Sequence, residues 1–252
     1  MAVPDVSRRL EPLEQVLERL GRFQGPRTPV VVFDLDSTLI DTSPRHLAIL
    51  DDFIAAGFGG SDLSKVCDRL HEQGVSWSLV DEVRRAGIQD QALLKALADF
   101  WSHRFFSPEY MSRDRPVPGA ATFVLECRAV GAWCYYLTAR VEAETRAVTR
   151  ATLRRFGFPL ESGVTLHMKP ARTVGDHRFK ESAMAQVVAR GYLVAVFDND
   201  PVNINAFQRR FPGAVCVLVG NARPPDAPPV SDGVLWIPDF IHRVGVRSPH
   251  SS

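Results

Sequence analysis

At 252 residues, 45% hydrophobic and 23% charged, the chain has the make-up of an ordinary globular protein, with room for one large α/β domain or a core plus a smaller companion. Its 30 basic and 29 acidic residues leave a formal charge of +1, so no global field draws it to nucleic acid or to an anionic membrane, although a locally basic cleft stays open. No apolar run nears the roughly 20 residues that span a bilayer, and Arg8, Arg9, Glu11 and Glu14 break up any secretory signal.

A cytoplasmic setting is therefore expected. Cys67, Cys127, Cys134 and Cys216 form no Cys-x-x-Cys pair and read as small buried residues in a reducing compartment. Among 30 cations only Lys65, Lys95, Lys169 and Lys180 are lysines, so a lysine in a motif position carries information.

Leu10, Leu13, Leu17, Leu20 and Phe23 recur at helical spacing, which predicts an amphipathic helix over 7–23 packed on the body. Val30–Leu35 is a β-branched run after Pro29 and reads as a buried parallel strand. Residues 44–114 hold no convincing strand. Leu47, Leu50, Phe53 and Ile54, then Leu93, Leu94, Leu97, Phe100 and Trp101, keep a helical period instead. Further strands are expected at Ala132–Leu137, Val164–Met168, Val194–Phe197, Ala214–Val219 and, more weakly, Val234–Ile237. Helical patterns separate most of them, at 119–130, 141–156, 179–190 and 202–210.

That alternation predicts an α/β fold with a doubly wound, mostly parallel sheet. The expected organisation is a core of 1–43 and 115–246, an α-helical cap of 44–114 inserted after the first strand, and a flexible tail over 247–252.

In an open parallel sheet, functional groups collect at the carboxyl ends of the strands. Those ends carry Asp34 with Asp36, then Thr138, then Asp198 with Asp200. The set suits phosphoryl transfer. A carboxylate can attack phosphorus, a second can move protons, and a hydroxyl and an ammonium can steady the charged oxygens. An anionic substrate approaching carboxylates also calls for a hard cation on oxygen ligands, such as Mg²⁺.

Phe33-Asp-Leu-Asp-Ser-Thr38 resembles the Asp-x-Asp-x-Thr first motif of the haloacid dehalogenase superfamily. Leu137-Thr-Ala-Arg140 is similar to its second motif and Phe197-Asp-Asn-Asp200 to its acidic fourth, in the family's order, over roughly 30–220. The resemblance implies a Rossmann-like core with a cap, Asp34 as nucleophile, Asp36 as general acid/base, and Thr138 as phosphate ligand. Mg²⁺ would be held by Asp34, Asp198 and the backbone carbonyl of Asp36. Members that cleave carbon–halogen bonds lack an acid at the position of Asp36, since a halide leaves without a proton, so its presence favours phosphate esters.

The third-motif lysine has two candidates. Lys180 lies 18 residues before Asp198 and is preferred; Lys169, in a Lys-Pro pair, is the alternative. Asn199 stands where an acid is usual and is expected to bond Asp198 or Lys180, while Asp200 either ligates through water or caps a helix. Arg140 either contacts substrate or is a surface residue. His46, His71, His103, His167 and His177 show no paired metal spacing.

The expected activity is a Mg²⁺-dependent phosphomonoester hydrolase acting on a small phosphorylated metabolite. The alternatives are a phosphomutase or phosphotransferase, a nucleic-acid end phosphatase, and an inactive binding module. The second and fourth motifs resemble the phosphatase half of polynucleotide kinase-phosphatases, but the near-zero charge makes a nucleic-acid partner unlikely. No membrane partner is expected, and the oligomeric state is open.

Overall fold

The computed structural model describes residues 11–220, 222–224 and 226–242. The expected tail and the first residues of the N-terminal helix lie outside them. In chain order the first elements are α1 (Pro12–Gly21), β1 (Pro29–Phe33) and β2 (Ile40–Asp41). Five helices follow: α2 (Ser43–Ala55), α3 (Gly60–Gln73), α4 (Leu79–Arg85), α5 (Gln91–Ser102) and α6 (Pro108–Met111). The chain then returns through β3 (Arg115–Pro116) into α7 (Ala120–Ala129), β4 (Trp133–Val141), α8 (Glu142–Arg155) and β5 (Val164–Lys169). It closes with α9 (Asp176–Arg190), β6 (Tyr192–Asp198), α10 (Pro201–Arg210), β7 (Val215–Val219) and β8 (Leu235–Ile237).

Six parallel strands form one sheet in the order β5-β4-β1-β6-β7-β8. β1 is buried on both faces. Val31 and Phe33 join the cluster that holds Leu13, Val16 and Leu20 of α1 and Phe123 and Val124 of α7. Val30 and Val32 join Phe179, Ala183 and Val187 of α9 and Ile204 and Phe207 of α10 on the other face. Alternate side chains thus feed two cores, which is why the strand reads as an uninterrupted β-branched run. Each such side chain contributes about 1.5–3 kcal/mol relative to exposure. The apolar stripe of α1 is used in this packing.

β4 runs four residues past the Leu137 expected from sequence. A register shift between Thr138 and Val141 lets it continue beside β5 while Arg140 turns inward. The short β2 and β3 pair antiparallel, Ile40 against Pro116 and Asp41 against Arg115, and make a neck that the sequence pattern does not announce. At the return, Gly119 has φ +76° and a Cβ there would run into the Phe240 carbonyl, so both conformation and space require glycine.

The helices α2 to α6 carry their own apolar core. Leu47, Leu50 and Phe53 of α2 meet Leu63, Val66 and Leu70 of α3 and Leu94 and Leu97 of α5. The Asp90 carboxylate fixes the start of α5 by accepting from Ala92 and Leu93 N–H at 2.9 and 3.1 Å.

Beside this core His46 is buried. Its Nδ1 accepts from Trp101 Nε1 at 3.0 Å, and its ring stacks on Trp101 with centroids 5.8 Å apart. Burial pushes the imidazole pKa down to about 3, with Arg45 adding to the effect. The unfolded chain protonates this residue near its ordinary value and the folded chain only near 3. The unfolded state therefore binds the extra proton between those values. Stability should fall as pH drops through that window, by up to about 1.4 kcal/mol per pH unit. Urea unfolding at a series of pH values checks this: His46→Gln should flatten the slope, and an unchanged slope would remove His46 as its source.

Candidate active site

The chain turns sharply after β1. The Leu35 carbonyl accepts from the N–H of Thr38, Leu39 and Ile40 at 3.1, 3.0 and 2.9 Å, a one-turn wrap completed by Ser37 N–H donating to Ile40 O at 2.7 Å. Ser37 adopts φ 59°, a left-handed conformation that costs a non-glycine residue on the order of 1 kcal/mol. Asp34 N–H donates to Phe197 O at 2.9 Å, so the sheet ladder reaches the nucleophile position itself. Thr38 Oγ1 stands 3.1 Å from Asp34 Oδ2 and 3.3 Å from Asn199 Oδ1, and its single hydrogen is shared between them.

Three strand ends and one helix converge here. Lys180, in the second turn of α9, donates to Asp34 Oδ1 at 2.8 Å and to Asp198 Oδ2 at 2.7 Å. All three side chains are buried. Burial opposes charge on Lys180, but Asp198 and Asp34 outweigh it and hold the ammonium above its ordinary range. For Asp34 burial prevails. It pushes the carboxyl up to about 7, helped by the charges of Asp198 and Asp36 and opposed by Lys180.

One ammonium between two buried carboxylates leaves a net negative charge among oxygen donors. That donor set fits a hard divalent cation such as Mg²⁺, with Asp34, Asp198 and the Asp36 carbonyl to hold it. It offers no sulfur or imidazole to a softer metal.

Asp36 is gripped more tightly than its sequence suggests. Arg140 donates to it twice, Nε to Oδ2 at 2.8 Å and Nη2 to Oδ1 at 2.7 Å, and Arg45 Nη2 adds a third contact at 3.3 Å. Burial alone would raise this carboxyl; the Arg140 guanidinium, with Arg45 and Lys180, reverses that and holds it well below the ordinary carboxylate range. Arg140 is fully buried, so the surface reading of this residue is overturned: it is a positioning residue for Asp36. A bidentate fork also fixes the plane of the carboxylate, which a lysine could not do.

Arg45 and Asp114 were not legible as site residues. Arg45 Nε donates to Asp114 Oδ1 at 2.9 Å, Nη2 bonds Asp114 Oδ2, and Nη1 reaches Phe105 O at 3.1 Å. Asp114 also lies 3.6 Å from Arg140. Two arginines and two aspartates thus form a buried, charge-balanced group. It joins the first turn of α2 and the end of the helical insert to the second carboxylate of the site. The only sequence signal is a charged residue one position before His46 and Leu47 on a helix whose other inward positions are apolar.

The remaining candidates divide. Thr138 is buried at the shifted part of β4, and its Oγ1 accepts from Arg140 N–H at 3.3 Å, leaving the hydroxyl hydrogen to donate. Lys169 does not join the others; it is paired with Asp176 at the start of α9 rather than with Asp34 or Asp198. Asn199 does not hold Asp198 or Lys180 either. Its Oδ1 faces Thr38 and its Nδ2 donates to Ala222 O at 2.8 Å. Asp200 caps α10, accepting from Val202 N–H at 2.8 Å. Asp198 is steadied by Asp200 N–H at 2.9 Å and Asn203 Nδ2 at 3.3 Å, both on Oδ1.

The family model of the haloacid dehalogenase-like hydrolases matches residues 28–209. Among curated proteins nothing matches. Among solved structures, a candidate phosphatase from Clostridium difficile superposes with a TM-score of 0.52 at 12% identity, covering 77% of this chain and 86% of that one. A haloacid dehalogenase-like family hydrolase from Streptococcus pneumoniae gives 0.48 at 13% identity, covering 76% and 84%. At such identities the likeness speaks for the fold alone.

Proposed function

Because the chain belongs to the haloacid dehalogenase-like hydrolases, we propose that it is a Mg²⁺-dependent phosphomonoester hydrolase working through an aspartyl phosphate on Asp34. The observation that carries this reading is the buried Asp34–Lys180–Asp198 bridge, which places a nucleophilic carboxylate, an ammonium and a cation-hungry second carboxylate together. Asp36, two residues on, supports phosphate esters over alkyl halides.

Asp34 Oδ attacks phosphorus as the P–O bond to the alcohol breaks. Asp36 then hands a proton to the departing oxygen and, as a carboxylate, takes one from the water that hydrolyses the acyl phosphate. Lys180 and Thr138 donate to the non-bridging oxygens. Bound Mg²⁺ supplies the positive charge that lets an anionic ester approach Asp34.

Held by Arg140 and Arg45, Asp36 rests ionised, which suits the base step. The acid step requires the grip to loosen, and Arg45, the longer contact, sits on the helical insert. Movement of that insert over the substrate would therefore set the protonation of Asp36 as well as exclude water. An insert that narrows the entrance favours a small phosphorylated metabolite over a nucleic-acid end.

Hydrolysis of para-nitrophenyl phosphate, with and without chelation of divalent ions, tests the reading. Activity should fall at least about tenfold on chelation and return with Mg²⁺, since a lost charge-stabilising partner in such sites typically costs more than that. No activity with any of several divalent ions would sink it. A phosphomutase or phosphotransferase would use the same residues and would show phosphate passing to a second hydroxyl instead of accumulating free.

A further inference from the structure

On the outer side of the helical insert, Asp51 of α2 faces Cys67 and His71 of α3. We propose that these three side chains form a second metal site, for a borderline-soft divalent ion of the zinc class. Cys67 and His71 are four residues apart, so the helix repeat stacks them on one face. His71 Nε2 is 2.9 Å from Asp51 Oδ1 and Cys67 Sγ is 3.2 Å from the same oxygen. All three donor atoms lie within 4.8 Å of one another.

A tetrahedral ion needs bonds of about 2.3 Å to sulfur and about 2.0–2.2 Å to nitrogen and oxygen, which sets its donors roughly 3.3–3.8 Å apart. The two hydrogen-bonded contacts need to open by only a few tenths of an ångström to admit it. One sulfur, one imidazole and one carboxylate select against Mg²⁺, which takes oxygen ligands, and for Zn²⁺ or Co²⁺. Asp51 and His71 have side chains 49% and 46% exposed, so an ion can enter and a water can complete the fourth position.

Without an ion the three groups share a single carboxylate oxygen, and burial together with Asp51 pushes the Cys67 thiol up to about 12. Binding therefore releases the thiol proton to solvent as the metal–sulfur bond forms. Looking for paired histidines overlooks such a site, because one of the pair is a cysteine. Its place has a consequence: α2 also carries Arg45 in its first turn, so a staple between α2 and α3 stiffens the helix that reaches Asp36.

Titration of the full chain with Co²⁺, with Mg²⁺ in large excess to occupy the carboxylate site, tests the proposal. One equivalent should bind with tetrahedral visible bands and a thiolate-to-cobalt charge-transfer band. Cys67→Ser should abolish the charge-transfer band. His71→Ala, at a half-exposed position that leaves the fold intact, should weaken binding by at least about 100-fold, since loss of an outer partner alone costs 10–100-fold. The remaining cysteines, Cys127, Cys134 and Cys216, are buried in the sheet cores. A charge-transfer band that survives Cys67→Ser would report another thiol and overturn the assignment. So would the lack of any such band, or Co²⁺ binding that His71→Ala leaves unchanged.

Discussion

Asp34→Asn is expected to lower kcat/KM on phosphate esters by at least ~10⁴-fold, the scale on which removal of a nucleophile acts when the rest of the site stays in place. The amide keeps the shape of the carboxyl and its contact with Thr38 Oγ1, 3.1 Å away, but its lone pair no longer forms an acyl phosphate. Stability should move the other way. In the folded state burial raises the Asp34 carboxyl to about 7, far above an unfolded aspartate. Between the two values the folded state binds more protons, so stability falls as pH rises through that window and is lowest above it. Without Mg²⁺ the asparagine variant should thus be at least as stable at neutral pH as the parent. Activity bought at the expense of stability is the expected balance for such a site. Steady-state kinetics together with urea unfolding in metal-free buffer checks both halves. Activity within tenfold of the parent would remove Asp34 as nucleophile. A large loss of stability would show instead that the charge is well compensated without metal.

The parts of the fold that sequence made legible are those where one physical demand acts alone. β1, β6 and β7 are buried on both faces, so Val30–Phe33, Val194–Phe197 and Val215–Val219 read as apolar runs whatever surrounds them. Asp34, Thr138 and Asp198 follow as the polar residues where those runs and that of β4 stop. Lys180 was reached by its distance from Asp198, and that works because one helix length separates a residue early in α9 from the end of β6. What was illegible depends on partners distant in sequence. Arg45 and Asp114 are 69 residues apart, and nothing local tells a buried arginine from an exposed one. Arg140 was obscured in the same way, because a Thr-Ala-Arg sequence after an apolar strand looks like a solvated turn. Here the strand shifts register instead and sends the guanidinium inward. Asn199 was given a task beside Asp198, but its side chain points to Thr38 and the Ala222 carbonyl, since neighbours along a strand end face opposite sides.

Arg140→Met is expected to cost about 3–5 kcal/mol of stability, because it leaves buried carboxylates without their main partner. Asp36 would keep only the 3.3 Å contact from Arg45, and Asp114 would lose the guanidinium 3.6 Å away. With its strongest charge partner gone, the Asp36 carboxyl should rise toward and past the ordinary range, since burial is the largest single influence on it. The activity lost should be at least about 100-fold, as a carboxylate no longer held in plane meets neither the leaving oxygen nor the water in line. Arg140→Lys should recover part of the stability and little of the activity, because a point charge cannot make the two bonds that fix the carboxylate. The double variant Arg140→Met with Asp36→Asn separates the two roles. Removing the stranded charge should return most of the lost stability, and none of the activity, since the proton-transfer group is gone. Thermodynamic coupling between the two positions measured by unfolding should then exceed roughly 1 kcal/mol. Additive losses would mean that Arg140 stabilises the fold through Thr149 and its other neighbours, and that Asp36 is placed by its own turn.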